Sequence, residues 1–183
     1  MFVTGAAIQW LRDGLGIIDH AAQTQDLAGS VPDSGGVVFV PALTGLGAPE
    51  WDPTARGLSI GITRATTKAH LARAALDAIA HQVCDVVELM SEDGGVPLRR
   101  LAIDGGAAAN DLLCQLQADA VGLTVDRSAE LQTTGLGAAF LAGLGIGLWP
   151  SFEALASTRH SSGIFEPGHP TADHQGGVEA GLG

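Results

Sequence analysis

The chain has 183 residues, 46% of them hydrophobic, and a formal net charge of −11 with only nine Lys and Arg. That length suffices for one domain with a sizeable core. The shortage of cations argues against nucleic acid and anionic membrane surfaces as partners, since both are bound mainly through Lys and Arg.

No apolar run reaches the roughly 18 uninterrupted residues of a membrane span, and no basic-then-apolar leader opens the chain. Cys84 and Cys114 lie in helical patterns without Cys-x-x-Cys spacing, which fits a reduced, cytoplasmic protein and marks neither as a nucleophile.

Ile8, Leu11, Leu15 and Ile18 fall on one side of a helix that starts near Thr4 or Gly5 and frays at Gly14 or Gly16. Gly5 allows a ligand's phosphates near the helix start, and Gln9, one turn on, offers an amide. A surface helix with an ordinary Gln is the plainer alternative. His20 to Gly36 is polar and rich in turn formers, so it reads as a connection leading to the apolar run Val37–Val40, a buried strand. Pro41 to Pro53 contains three prolines and two glycines and predicts an ordered loop. Trp51 is expected to pack that loop down, with Thr44, Glu50 and Asp52 at a cleft edge. Arg56 to Arg64 reads as a short strand or hairpin.

The longest helix is predicted from about Thr67 to Met90, with Thr66 as N-cap. Leu71, Ala75, Ile79, Val83, Val87 and Met90 form its buried stripe, and Ser91 to Pro97 ends it. His70 and His81 lie about three turns apart, too far to share a metal ion, and read as exposed or hydrogen-bonded.

Leu98 to Ile103 is a short apolar run followed by Asp104-Gly105-Gly106-Ala107-Ala108-Ala109-Asn110. Ala109, Leu112, Leu113, Leu116 and Ala120 then recur at helical spacing. A strand, a glycine pair and a helix in that order present unpaired N–H groups and the positive end of a helix dipole. That geometry suits a nucleotide, with a tight turn as the structural alternative. Gly122 ends the helix and Leu123 to Asp126 forms a second strand, parallel to the first by the crossover rule. The ligand is expected at the strands' C-terminal edge, beside Gly105 and Gly106.

Thr133 to Gly143 is a helix dense in small residues, capped by Thr133 or Thr134. Each internal glycine costs on the order of 1 kcal/mol relative to alanine unless close packing or ligand access offsets it. Trp149-Pro150 ends this segment and Ser151 to Ala156 forms a short capped helix. From Arg159 onward apolar periodicity is lost, which predicts a loosely ordered tail. Its three histidines are too irregularly spaced for a metal site.

Four blocks of this sequence resemble, in order, the FGGY carbohydrate kinases of the actin-like ATPase superfamily: Phe2–Leu15, Phe39–Pro53, Asp104–Asp111 and Thr133–Trp149. The loop Gly45-Leu46-Gly47-Ala48-Pro49 followed by Trp51-Asp52-Pro53 is similar to that of the glycerol kinases in particular. The resemblance reaches to about Pro167. It implies an α/β fold, a partial ribonuclease H-like (actin-like ATPase) domain with helices on a short mixed or parallel sheet that lacks its first strands. Residues 1–158 would be an incomplete C-terminal nucleotide-binding domain and residues 159–183 a tail.

The same resemblance implies ATP as the bound nucleotide. Family residues matching Gly5 and Gln9 lie by its phosphates and ribose, and those matching Gly106 and Asn110 flank its ribose and base. Glu50 stands where the family usually has Tyr, and the family's closing helix is missing after Pro167. About the first three-fifths of a family member has no counterpart, and that part holds the phosphate-binding hairpin, the glycerol contacts and the catalytic aspartate.

The implied function is the ATP-binding half of a glycerol kinase, which converts ATP and glycerol to ADP and sn-glycerol 3-phosphate. No catalytic residue and no metal ligand is expected in this chain. The Mg2+ ligands would lie outside it, glycerol would bind only in the complete enzyme, and the chain alone would be inactive. A non-catalytic nucleotide-binding remnant and part of another polyol or sugar kinase are the alternatives. The expected partners are an adenine nucleotide and the missing N-terminal domain. Without its first strands, a sheet edge around Val37–Val40 or Leu101–Ile103 would be exposed, which invites homo-oligomers.

Overall fold

The computed structural model describes residues 4–95 and 98–168. Its organising element is α3, Lys68–Gly94, 27 residues long. Ala72, Ala74, Ala75, Leu76, Ala78, Ile79 and Ala80 are all buried, a band broader than the single stripe read from periodicity. Small side chains let neighbours close in from several directions, whereas Leu71 and Val83 are only half-buried and Met90 is exposed. The N-cap is Thr67 rather than Thr66. Thr67 and His70 form a reciprocal capping box in which the Thr67 N–H donates to His70 Nδ1 at 3.1 Å. Thr66 is used one turn earlier, its hydroxyl accepting from the Thr63 N–H at 2.9 Å. At the other end Gly95 takes φ +59 and donates to the Ser91 carbonyl at 3.2 Å.

Around α3 pack α1 (Thr4–Gln9), α2 (Gln23–Gly29) and α4 (Asp111–Val121). Ile8, Leu11, Ile18, Ala28, Leu76, Ile79 and Leu113 share one apolar cluster. The first helix continues as a π-helical turn, Trp10–Gly14, with the Leu15 N–H donating to the Trp10 carbonyl at 3.0 Å. This wider turn rotates Leu15 off the predicted stripe and leaves it 42% exposed. The connection predicted at His20–Gly36 instead contains α2. Thr24 and Ala28 of α2 are buried against α3 and α4, so tertiary packing outweighs its polar composition.

Val38–Val40 form β1, which pairs antiparallel with β2, Leu58–Ile60. Phe39 is buried and its ring stacks on Trp10 at 5.4 Å, but Val38, Leu58 and Ile60 are exposed. A two-stranded sheet has one covered face here, so the expected fully buried strand is half-buried. The 41–57 loop lacks strand and helix, as composition implied, but Trp51 does not pack it down. That side chain is 68% exposed at φ +50. Backbone bonds from Leu46 N to Asp52 O and from Trp51 N to Gly47 O, both 2.8 Å, close the loop instead. Asp52 adds an internal turn, accepting from Thr54 N at 2.7 Å and from the Thr54 hydroxyl at 2.6 Å, which holds its carboxyl below the usual range.

The second sheet has the order β3-β4-β5, from Arg100–Ile103, Thr124–Ser128 and Ser161–Phe165. β3 and β4 are parallel, joined by α4, while β5 is antiparallel to β4. The loosely ordered tail expected from Arg159 therefore does not hold for 159–165. β5 pairs with β4, and Arg159 donates to the buried Asp126 carboxylate at 2.8 Å. Non-local pairing of this kind leaves no periodic trace in Ser161-Ser162-Gly163. The rest of the predicted tail, residues 169–183, lies outside the described residues, as does Pro97.

The last helices are α5 (Thr133–Gly145) and α6 (Phe152–Ala156), the latter capped by Ser151, whose hydroxyl accepts from Ala154 N at 3.3 Å. Gln132 occupies the N-cap position of α5 without a side-chain bond, and the Thr133 hydroxyl, expected as a cap, donates to the Asp104 carboxylate. Gly143 is the buried residue of α5, and Trp149 folds over it: a Cβ there would stand 2.0 Å from Trp149 Cζ3. Leu136 and Leu141 are exposed.

Candidate functional site

The C-terminal end of β3 leads into the segment read as a ligand turn. Gly105 takes φ +85, a region open to glycine, and its N–H donates to the Leu131 carbonyl at 3.1 Å. Gly106–Ala109 then form one 3-10 turn, closed by Ala108 N to Gly105 O at 3.0 Å. Asn110 leaves helical geometry, at φ −90 and ψ 107, and α4 begins at Asp111. The expected single helix start is therefore divided: a short turn carries the glycines, and the long helix begins after Asn110.

This division decides which amides are spoken for. Asn110 Oδ1 accepts from Leu113 N at 3.0 Å, and Gln25 Oε1 accepts from Asp111 N at 2.7 Å, so the start of α4 is already capped by side chains. The first amides of the 3-10 turn have no partner within the turn. Asn110 Nδ2 also donates to the Thr24 hydroxyl at 3.1 Å, so both ends of the half-buried Asn110 amide make a hydrogen bond.

The structure brings the two predicted segments together. α1 packs directly on the 106–109 turn, with Ala6, Ala7 and Ala107 in the same apolar cluster. Gly5 lies in the first turn of α1 and Gly106 opens the 3-10 turn, both exposed. A Cβ at either would meet no atom within 4 Å. Neither glycine is therefore demanded by local packing, and each leaves main chain open to solvent. Gln9, exposed at the end of α1, lies one turn beyond Gly5.

Other groups surround the turn. Arg127 Nη1 donates to the Ala108 carbonyl at 3.1 Å and to Asp111 Oδ1 at 2.5 Å. Cys114 Sγ donates to the same carbonyl at 3.3 Å, and burial pushes its thiol above the ordinary range. Burial, with Glu88 and Asp85 nearby, pushes the Cys84 thiol up to about 11. Both cysteines are thus kept as thiols and not as thiolate nucleophiles. Among the described residues no three His, Cys, Asp or Glu side chains are grouped to hold a metal ion.

Sequence reasoning missed Thr24, Gln25 and Arg127. Thr24, Leu27 and Ala28 stand at i, i+3 and i+4, a helical signal overshadowed by the polar residues around them. Of the cleft-edge candidates, Glu50 lines a cavity of about 600 Å³ between β1, its following loop and α3, with His81 and Asp85. The Asp85 carboxyl there is pushed up by burial and by Glu50 and Glu88. None of Gly5, Gln9, Gly106 and Asn110 lines that cavity.

The fold class is that of a partial actin-like ATPase domain: α/β, with helices packed on a mixed sheet. The same architecture occurs in the glycerol kinase of Plasmodium falciparum solved with ADP (TM-score 0.79, 34% identity, 90% of this chain and 33% of that one). It occurs also in the ligand-bound xylulose kinase of Lactobacillus acidophilus (TM-score 0.75, 26% identity, 90% and 34%). Residues 1–146 match the family model of the C-terminal domain of the FGGY carbohydrate kinases, and the chain belongs to that family. It is 59% identical to the glycerol kinase of Aromatoleum aromaticum over 167 residues, covering 91% of this chain and 34% of that protein. Glycerol kinase 2 of Thermotoga maritima is 55% identical over 167 residues, again 91% and 34%. The chain spans about a third of the length of the curated relatives it matches. Among the described residues no helix is long and apolar enough to cross a membrane.

Proposed function

We propose that this chain supplies the adenosine side of the cleft in an ATP-dependent glycerol kinase, which converts ATP and glycerol to ADP and sn-glycerol 3-phosphate. The observation that carries the reading is the packing of α1 on the 106–109 turn, with Gly5 and Gly106 exposed and unobstructed on the two segments. Two open stretches of main chain on adjoining segments suit a polyanion. The glycerol kinase relatives and the ADP in the Plasmodium enzyme support the same reading.

In this reading Gly5 and the first amides of the 106–109 turn face the nucleotide. Gln9 adds a side-chain amide, and Asn110 presents the turn while capping α4. Magnesium, in the complete enzyme, would supply neutralisation of the phosphate charge. Its carboxylate ligands, the glycerol contacts and the group that accepts the glycerol hydroxyl proton belong to the part of a kinase that this chain does not match. Alone, the chain binds nucleotide and does not transfer phosphate.

Calorimetric titration with ADP tests this. The parent chain binds, and Gly106→Val and Asn110→Ala bind more weakly; equal affinity in all three refutes the assignment. Joined to the first two-thirds of a glycerol kinase relative, the chain is expected to restore phosphorylation of glycerol.

A further inference from the structure

The side chain of Arg127 is built into the back of the 106–110 turn. Beside its bonds to the Ala108 carbonyl and to Asp111, its Nε donates to Ser162 Oγ at 3.1 Å and its guanidinium lies over the Phe165 ring at 5.3 Å. Gly163 completes the slot. A Cβ at that position would stand 3.1 Å from Arg127 Nη2 and 3.1 Å from Phe165 Cε2, so glycine leaves room for the guanidinium beside the ring. Ser162, Gly163 and Phe165 all belong to β5.

A guanidinium placed over a ring and forked toward a carbonyl and a carboxylate is a task for Arg that Lys cannot copy, because an ammonium lacks the divergent donors. The object it grips is small. A single 3-10 turn has little internal bonding, so the direction of its amides is set by what holds its carbonyls. The Ala108 carbonyl is held by Arg127 from one side and Cys114 from the other.

We propose that Arg127 is a positioning residue for the nucleotide turn, and that β5 is the backstop that seats it. The role rests on the nucleotide reading of residues 106–110. Arg127 acts through the turn: it fixes the Ala108 peptide, and with it the direction in which the amides of Gly106 and Ala107 point. β5 thereby belongs to the binding apparatus even though it carries no ligand contact itself.

The test uses the full chain and two readouts, ADP calorimetry and amide hydrogen exchange resolved at residues 105–110. Arg127→Met is expected to weaken ADP about tenfold, the loss typical of a charge-assisted hydrogen bond. It also speeds exchange at Gly106–Asn110 while leaving α3 unchanged. Arg127→Lys does not restore affinity, whereas methylguanidinium added to Arg127→Ala does. Gly163→Ala, which crowds the slot without touching the turn, shifts both readouts in the same direction; it carries the test if Arg127→Met fails to fold. Unchanged ADP affinity with unchanged exchange in Arg127→Met overturns the role and leaves the nucleotide reading standing. A parent chain that does not bind ADP overturns both.

Discussion

The Asn110 amide nitrogen donates to the Thr24 hydroxyl at 3.1 Å, tying α2 to the start of α4. Thr24 in turn donates to the Ala21 carbonyl at 2.7 Å, so a buried hydroxyl and a helix cap share one short chain of bonds. Removing Asn110 takes the donor away from the buried Thr24 hydroxyl, which keeps its bond to Ala21, and removing Thr24 takes an acceptor away from the half-buried Asn110 amide.

Asn110→Ala loses both the cap and the partner of Thr24, and is expected to cost about 2 kcal/mol. Asn110→Asp keeps the cap oxygen for Leu113 N but replaces the donor to Thr24 with an acceptor, the Thr24 proton being already given to the Ala21 carbonyl, and is expected to cost about 1 kcal/mol. Urea midpoints of the two variants check this order. Equal losses would show that the bridge to α2, and not the cap, carries the effect.

Asp126 is expected to contribute to the acid limb of stability. It is fully buried, and its carboxyl is held below the usual range, first by the hydrogen bond from Arg159, then by Ser161 and the charge of Arg100, against the opposing effect of burial. A depressed folded-state pKa contributes stability that is complete above the ordinary carboxylate value of about 4 and is lost as pH falls through the lower folded value. Asp126→Asn is therefore expected to lower the denaturation midpoint at neutral pH and to flatten its decline on acidification. Parallel pH profiles for parent and variant would contradict this.

Two glycines outside the site separate backbone strain from helix propensity. Gly61 takes φ +80, and a Cβ there would stand 1.9 Å from the Gly36 carbonyl oxygen. Gly61→Ala is expected to destabilise by about 2 kcal/mol or more. Gly137, within α5, has no atom within 4 Å of a Cβ, and Gly137→Ala is expected to stabilise by up to about 1 kcal/mol. Thermal melts of the two variants should move in opposite directions.

The exposed apolar residues of α5 and of the segment after it are the fourth target. Leu136, Leu141 and the following Ile146 and Leu148 are all exposed. Exposed apolar side chains close together in sequence favour association. Sedimentation velocity is expected to show concentration-dependent self-association of the chain, reduced by Leu141→Glu with Ile146→Glu. A parent that stays monomeric throughout would argue against it.

What the sequence by itself determined is local: α3 and its glycine stop, the strand-helix-strand unit from β3 to β4, the Gly122 terminator at φ +64, and the order of the motif blocks. Each follows from periodicity or from a single residue's backbone preference, which neighbours in sequence express without help from afar. Only the tertiary structure decided that α2 exists, that Trp51 faces solvent, that Ser161–Phe165 is a strand, and that Arg127 reaches the Ala108 carbonyl. Those outcomes depend on partners far away in sequence: Thr24 on Asn110, and β5 on β4. Their free energy comes from burial and pairing that no short window of residues contains.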